Sequence, residues 1–376
     1  MQRIGVLGGM MDPIHYGHIG AARAALNAGV DRVLLAPCKT PAHRSAPLAG
    51  AEDRLALCRI AAAADPRLEA SDIELREGTC YAVDTVHLLQ ERYPDARICW
   101  ILGADKLASL PHWQGAEALF AACDFYVCPR TGEALKADIP GARLHIMAEA
   151  PALGASSGQA VQRLRVLDDA GDLLPREVAR YIADHGLYQP DYIPALRSRG
   201  MQDKRLRHTL GVRQTAVELA YLHGASMQAA ATAAMLHDIA KPLPLAQMQE
   251  TARQYELQLS PEVLADGNLL HGPAAAAIAE HELGIRHAGV LSAIACHTTG
   301  KPGMSLLDKV LFIADAIEPG RQDYPGLAEM RRLARTDLTA AVLLSMRRTR
   351  DYVLARGLHF CRDTELAMAD LEKNAV

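Results

Sequence analysis

An α/β domain followed by an all-α domain is the fold class that this sequence predicts, and three observations predict it. Up to about Tyr188, short β-rich runs alternate with amphipathic helical stretches, the pattern of a parallel sheet covered by helices on both faces. From about Asp203 onward there is no convincing strand, only helix-period segments separated by Gly and Pro. Between the two, 189–202 contains Pro190, Pro194 and Gly200 and reads as a short, partly helical connection. The expected division is 1–188, a linker at 189–202, and 203–376. A chain of 376 residues has room for two domains with separate cores.

In the front half, the expected strands are 4–7, 32–36, 98–102, 125–128 and 144–147, each a short β-rich run. The helices expected between them include 19–27, 51–63 and 84–92. In the second half, the Ala-rich stretches at 229–234 and 274–279 read as packed helices, because Ala is the best helix former. No internal repeat relates the halves.

Bulk properties narrow the function. A net charge of −4 gives no support to a nucleic-acid partner, although small nucleotides need only a few local cations. The eight cysteines are scattered without a C-x-x-C pair, which suits reduced thiols better than a disulfide framework or cysteine-bound zinc. No signal-peptide core and no apolar run of about 20 residues is present, so a cytoplasmic protein without a membrane partner is expected. Oligomerisation is left open.

The first strand ends in Gly8-Gly9-Met10-Met11-Asp12-Pro13-Ile14-His15-Tyr16-Gly17-His18, and a helix follows at once. Gly8 and Gly9 let backbone N–H groups approach a phosphate without Cβ obstruction. His15 and His18 sit around the first helical turn, where free N–H groups and the positive dipole end favour anions. Two imidazoles there can donate to a triphosphate and stabilise charge as phosphorus is attacked. A lone Gly-Gly turn would merely cap a helix; the full string points further.

This string resembles the GGxFDPxHxGH mark of the nicotinate mononucleotide adenylyltransferases, Rossmann-like members of the nucleotidylyltransferase superfamily, and the likeness extends over about 188 residues. Pro41-Ala42-His43-Arg44 resembles the family's PPHK loop, and Ala51-Glu52-Asp53-Arg54-Leu55 its next helix. Asp72-Ile73-Glu74-Leu75 with Tyr81 and Asp84-Thr85 resembles its D-x-E-L segment. Gly103-Ala104-Asp105-Lys106 with Leu110-Pro111-His112-Trp113 is similar to its GAD…LPxW, Arg130 and Gly132 fall at its RPG, and the run from Ala179 to Tyr188 resembles its ending. The resemblance implies AMP transfer from ATP, with Mg2+, to nicotinate mononucleotide. It implies that His15 and His18 are catalytic and hold phosphates, and that Gly8, Gly9, Asp12, His43, Arg44, Gly103, Asp105 and Arg130 line the nucleotide site. Trp113 would stack on the pyridine ring and Thr85 would help hold its carboxylate.

Three departures stand out. Met11 replaces an aromatic residue, and Ala82 replaces a Thr. The last phosphate motif, ISSTxIR in the family, keeps Ser156 and Ser157 but has Gly158 for Thr and Val161 at the Arg position. Loss of a charge-assisted phosphate contact costs about 1.5–3 kcal/mol.

The second half carries a set of metal-ligand types on expected helices: His208, His237-Asp238, His271, His297 and Asp315. Imidazole with carboxylate suits Fe or Mn better than Mg, and a metal there makes hydroxide available near neutral pH. Any one of these residues alone is more often structural. In Met235-Leu236-His237-Asp238-Ile239-Ala240-Lys241, however, an apolar helix carries polar groups that are costly to bury unpaired.

From about His208 to Arg321 the pattern is similar to the HD superfamily, and more narrowly to YqeK-like HD domains, with no departure at a ligand position. That resemblance implies an all-α HD phosphohydrolase. It makes His208, His237, Asp238 and Asp315 ligands of a first ion and gives His271 and His297 to a second. Lys241, Thr298 and Arg321 would contact phosphates, with Lys241 counted among the catalytic residues. The subgroup implies symmetrical hydrolysis of diadenosine tetraphosphate to two ADP. The leading expectation is a bifunctional enzyme. One alternative keeps the hydrolase beside a weakened or nucleotide-sensing front half, and another makes the HD half a sensor without turnover.

Overall fold

The computed structural model describes residues 1–39, 46–76, 81–129, 139–147 and 154–374. Its chain divides into two compact units, one of Met1–Arg165 with Asp169–Ile182 and one of Ala183–Val376 with Val166–Asp168.

The first unit is built on six parallel strands: β1 (Gln2–Gly9), β2 (Arg32–Pro37), β3 (Leu68–Ala70), β4 (Ala96–Gly103), β5 (Asp124–Cys128) and β6 (Leu144–Ile146). Their order is β3-β2-β1-β4-β5-β6. The helices are α1 (Tyr16–Asn27), α2 (Ala51–Ala62), α3 (Ile73–Arg76), α4 (Ala82–Arg92), α5 (Ala116–Ala122), α6 (Ser157–Arg165) and α7 (Arg176–His185), with a 3-10 helix at Ala104–His112. Central strands of an all-parallel sheet are buried on both faces, so they read as apolar runs. That is why β1 and β4 were legible, with Ile4, Val6, Ile98 and Ile101 all buried. β3 was not anticipated; three residues paired only with β2 are too few to show a period. The strand order reverses between β1 and β4, and in open α/β sheets such a switch point leaves a crevice beyond the carboxyl ends of the strands. Gly8-Gly9 and Gly103 stand at those ends.

Arg54 holds this end together. Its side chain is buried, and its guanidinium donates to Met10 O at 2.6 Å, Cys38 O at 2.7 Å and Ala49 O at 3.3 Å. One residue of α2 thereby satisfies carbonyls of the segments that follow β1 and β2, groups that would be costly to bury unpaired.

Every described element of the second unit beyond α7 is helical: α8 (Ile193–Ser198), α9 (Asp203–His223), α10 (Met227–Leu236), α11 (Leu245–Gln254), α12 (Pro261–Ala265), α13 (Gly267–His281), α14 (Ala288–Cys296), α15 (Leu306–Ile317), α16 (Leu327–Ala334), α17 (Leu338–Ala355) and α18 (Arg362–Lys373). The segment expected to be a linker contains α8. Tyr192, Leu196 and Met201 recur at intervals of four and five residues and are all buried in the same core as α9 and α10, so apolar spacing outweighs the two prolines. The Ala-rich helix α10 is buried on every side from Gln228 to Leu236. The helix starts of the site are fixed by polar ties. Ser292 Oγ donates to Asp308 at 2.6 Å, Lys301 Nζ lies 3.3 Å from the same carboxylate, and Asp308 closes a capping box with Ser305. This joins α14 to α15. No described helix is long and apolar enough to cross a membrane.

Candidate functional site

In the first unit, the turn after β1 feeds directly into α1. His15 is its N-cap and its Nδ1 accepts from Gly17 N at 3.1 Å, while His18 Nδ1 accepts from His15 N at 3.3 Å. The two histidines form a capping box, with ring centroids 3.8 Å apart. A backbone N–H only donates, so both Nδ1 atoms are unprotonated and the neutral rings carry their proton on Nε2. Burial holds His15 down to about 4, and burial with the charge of His15 holds His18 to about 3. At neutral pH the pair therefore consists of two uncharged Nε2–H donors.

The start of α6 meets the start of α1. Ser157 Oγ donates to Pro13 O at 2.9 Å, and Ser156 Oγ accepts from Gln159 N at 3.2 Å. Ala155 O lies 3.0 Å from where a Cβ on Gly17 would stand. Two helix N-termini thus converge beside the histidine pair, a favourable place for an anion. Among the departures, Val161 is buried at the position of the family's Arg, and Arg163, the next arginine along α6, is bound to Asp172. Open space surrounds the position of a Cβ on Gly158.

Gly8 lies against Trp100 and Glu74, and Gly103 leaves room for the Asp105 carboxylate, which pairs with Lys106 at 3.0 Å. Trp113 stands edge-on to Trp100 with centroids 6.5 Å apart and donates Nε1–H to Ser109 at 3.3 Å. Asp12 and Thr85 are placed as anchors: Asp12 accepts from Leu48 N and Ala49 N, and the fully buried Thr85 hydroxyl donates to Glu74 at 2.9 Å. His43, Arg44 and Arg130 lie outside the described residues.

Glu74, which in the sequence is one residue of the D-x-E-L segment, stands inside the site. It is buried, with burial raising its carboxyl to about 7 against the lowering effect of the Thr85 hydroxyl. A group that holds its proton more tightly when folded contributes stability below its unfolded value and loses it as pH rises toward the folded one. Glu74 is expected to make stability fall between about pH 4.5 and 7, by up to roughly 3 kcal/mol. Denaturant titrations across that range should show the fall in the wild type and its absence in Glu74→Gln; identical pH slopes would contradict it.

In the second unit, five elements bring the six expected metal-ligand residues into one cluster. α9 supplies His208, the end of α10 His237 and Asp238, α13 His271, the end of α14 His297, and α15 Asp315. His208 Nε2 lies 3.0 Å from Asp315 Oδ1 and 3.7 Å from Asp238 Oδ2, and His237 Nε2 lies 3.3 Å from the latter. The other Asp238 oxygen is 3.3 Å from His271 Nε2, itself 3.0 Å from His297 Nε2. The carboxylate of Asp238 therefore stands between two groups of imidazoles.

The ring orientations fit a cation. Nδ1 of His237 faces Ala234 O at 2.7 Å, Nδ1 of His297 faces Ile294 O at 2.7 Å, and Nδ1 of His208 faces Glu318 at 3.2 Å. Donation there leaves each Nε2 with a bare lone pair aimed at the cluster, the arrangement that metal-binding histidines use. His208 Nε2 and His237 Nε2 are buried and have no hydrogen-bond partner, a costly state without a cation. His208, His237 and Asp315, and likewise His237, Asp238 and His297, have ligand atoms within 4.8 Å of one another. The donor set and its orphaned nitrogens fit one or two divalent ions.

Two small residues permit this geometry. A Cβ on Gly272 would stand 2.9 Å from Ala295 O, so glycine after His271 lets α13 close on α14. A Cβ on Gly211 would stand 2.6 Å from the Glu318 carboxylate, so glycine one turn after His208 admits the group that orients its ring. At the rim, Thr298 Oγ1 is 3.4 Å from His297 Nε2, and Lys241 Nζ lies 3.2 Å from Asn268 and 3.4 Å from His271 Nδ1. Arg321 donates to Asp315 at 2.6 Å rather than standing free.

Glu318 and Arg205 were missed as site residues. Arg205 donates to Asp238 at 2.7 Å. The available signal was helical spacing: Arg205 lies three residues before His208 and Glu318 three after Asp315. Glu318→Gln, which keeps shape but loses the carboxylate, is expected to weaken metal retention and hydrolysis about 10- to 100-fold. Metal analysis after dialysis checks this, and full retention would show that Glu318 does not orient His208.

Comparison with known proteins places each half of the chain in a family. Residues 6–163 match the Cytidylyltransferase-like family and residues 205–320 the HD domain family. A Mycoplasma pneumoniae protein named "Probable nicotinate-nucleotide adenylyltransferase/Ap4A hydrolase" is 28% identical over 353 residues, covering 92% of this chain and 98% of its own. A Halalkalibacterium halodurans protein named "Bis(5'-nucleosyl)-tetraphosphatase, symmetrical" is 40% identical over 164 residues, 44% of this chain and 87% of its own. A Neisseria meningitidis protein named "Probable nicotinate-nucleotide adenylyltransferase" is 35% identical over 202 residues, half of this chain and all of its own. The chain thus belongs to two families in tandem, the nicotinate-nucleotide adenylyltransferases through its Rossmann-like front half and the symmetrical bis(5'-nucleosyl)-tetraphosphatases through its HD domain.

Proposed function

We propose that the chain is a bifunctional nucleotide enzyme. Its front half transfers AMP from ATP to nicotinate mononucleotide, and its second half hydrolyses diadenosine tetraphosphate symmetrically to two ADP. The front reading rests on the neutral histidine pair set between the N-termini of α1 and α6 at the sheet's switch point. In this reading the phosphates of ATP, accompanied by Mg2+, lie at those two N-termini and receive Nε2–H from His15 and His18. A phosphate oxygen of nicotinate mononucleotide attacks the α-phosphorus and pyrophosphate leaves. The residues act by positioning and by stabilising charge, with no covalent intermediate.

The second reading rests on the buried, unpartnered Nε2 atoms of His208 and His237. His208, His237, Asp238 and Asp315 would hold one ion, and His271 and His297 a second, with Asp238 offering an oxygen toward each group. Fe or Mn suits this donor set. Such an ion supplies a bound water of lowered pKa and positive charge toward phosphoryl oxygens. The chain orients the imidazoles through their Nδ1 bonds, and in this reading Lys241 and Thr298 at the rim, with Arg321 and Arg205 turning from Asp315 and Asp238, would contact the phosphates. The seven described cysteines form no disulfide, which fits a reducing cytoplasm.

Pyrophosphate release from ATP, with nicotinate mononucleotide and separately with nicotinamide mononucleotide, tests the front half. Release of ADP from diadenosine tetraphosphate with Fe, Mn or Mg tests the second. One observation favours another reading of the front half: Val161 is buried at the expected Arg position and Arg163 is bound to Asp172. Silence with both acceptors, from protein that still releases ADP, would establish that reading as a nucleotide-binding or regulatory domain.

A further inference from the structure

The second unit contains a cavity of about 500 Å3 that shares none of the six clustered histidines and aspartates. Its walls come from α9, α10 and the segment that precedes them, and include Tyr192, Leu210, Arg213, Gln228, Ala231 and Met235. On α10, Gln228, Ala231 and Met235 form one stripe at helical spacing. On α9, Arg213 follows His208 by five residues, about 140° around the axis, so the cavity and the cluster use different faces of the same helix.

The polar groups of this wall are unusual. Gln228 is 5% exposed, and neither its Nε2 nor its Oε1 has a hydrogen-bond partner. Arg213 Nε is also buried without one. Burial lowers the Arg213 pKa, and Asp184 only opposes the effect. Asp191, the carboxylate that also lines the cavity, accepts from Ile193 N at 2.9 Å. An amide left with both donor and acceptor unpaired beside a desolvated guanidinium is costly to fold around. A ligand that satisfies both would offset that cost.

We propose that this cavity binds a nucleoside monophosphate, with the phosphate on Arg213 and an adjacent donor and acceptor of the base on the Gln228 amide. Guanidinium suits phosphate through paired charge-assisted hydrogen bonds. A primary amide pairs with an edge that offers one donor and one acceptor, as adenine and a pyridine carboxamide both do. Leu210, Ala231 and Met235 supply the apolar wall for the ring, and the volume falls in the range of small-molecule sites. This would be a third nucleotide site, beyond the two catalytic ones.

The test uses full-length protein in which His15→Ala, His18→Ala and His237→Ala silence the other two sites. Calorimetric titration with AMP, and separately with nicotinamide mononucleotide, should show saturable binding of at least one, and the arm that binds identifies the base edge. Adding Gln228→Leu or Arg213→Met should weaken that binding about tenfold or more. Gln228→Leu, which removes an unpaired amide, should melt at or slightly above its parent, so lost binding does not report unfolding. No binding of either ligand, binding indifferent to both substitutions, or a Gln228→Leu protein that melts several degrees lower would each overturn the proposal.

Discussion

His237→Ala is expected to lower hydrolysis of diadenosine tetraphosphate by about three orders of magnitude or more and to leave pyrophosphate release from ATP at its wild-type rate. His237 is fully buried at the end of α10, with Nδ1 held by Ala234 O and Nε2 aimed at Asp238 and Asp315. It belongs to both groups of ligand atoms that could hold an ion, so its removal damages either position. Activity assays paired with metal analysis check this, and a chelator should reproduce the hydrolytic loss in the wild type. Hydrolysis that survives with metal absent would sink the metal reading. Loss of both activities would instead show that the two catalytic domains are not independent.

The second large effect is expected at the front site. His18→Ala should cut kcat/KM for ATP about 100- to 1000-fold, the usual cost of removing one donor aimed at developing charge, with hydrolysis by the HD domain unchanged. Because burial holds His15 near 4 and His18 near 3, both are neutral in the free enzyme above about pH 5. The ratio of wild-type to variant kcat/KM should therefore stay constant from pH 6 to 8.5. A ratio that collapses as pH rises through 6.5 would mean that the imidazole acts as a cation, against the geometry in which Nδ1 accepts a backbone N–H.

Much of this molecule could be read along the chain. The buried central strands are apolar runs, the turn from Gly8 to His18 is contiguous, and the metal-ligand residues other than His208 sit in or at the end of apolar helices that make their polarity conspicuous. What escaped was short or supported from afar. β3 pairs on one side only, and the connection expected to be partly helical does contain α8, but Pro and Gly around Leu196 hid that it packs into the core of α9 and α10. Arg54 reads as an ordinary charged residue of an amphipathic helix, and only the meeting of three chain segments turns it into a carbonyl clamp.

By itself the sequence determined the two fold classes and the residue types of both sites, because periodicity and contiguous motifs are local properties of the chain. The tertiary structure alone decided which nitrogen of each histidine is free and which carboxyl keeps its proton. Those states depend on burial and on partners far away: Glu318 faces the His208 ring across 110 residues, and Glu74 is raised to about 7 by the core that encloses it. Protonation and tautomer are set by the surrounding dielectric and hydrogen bonds, and these exist only once the chain has folded.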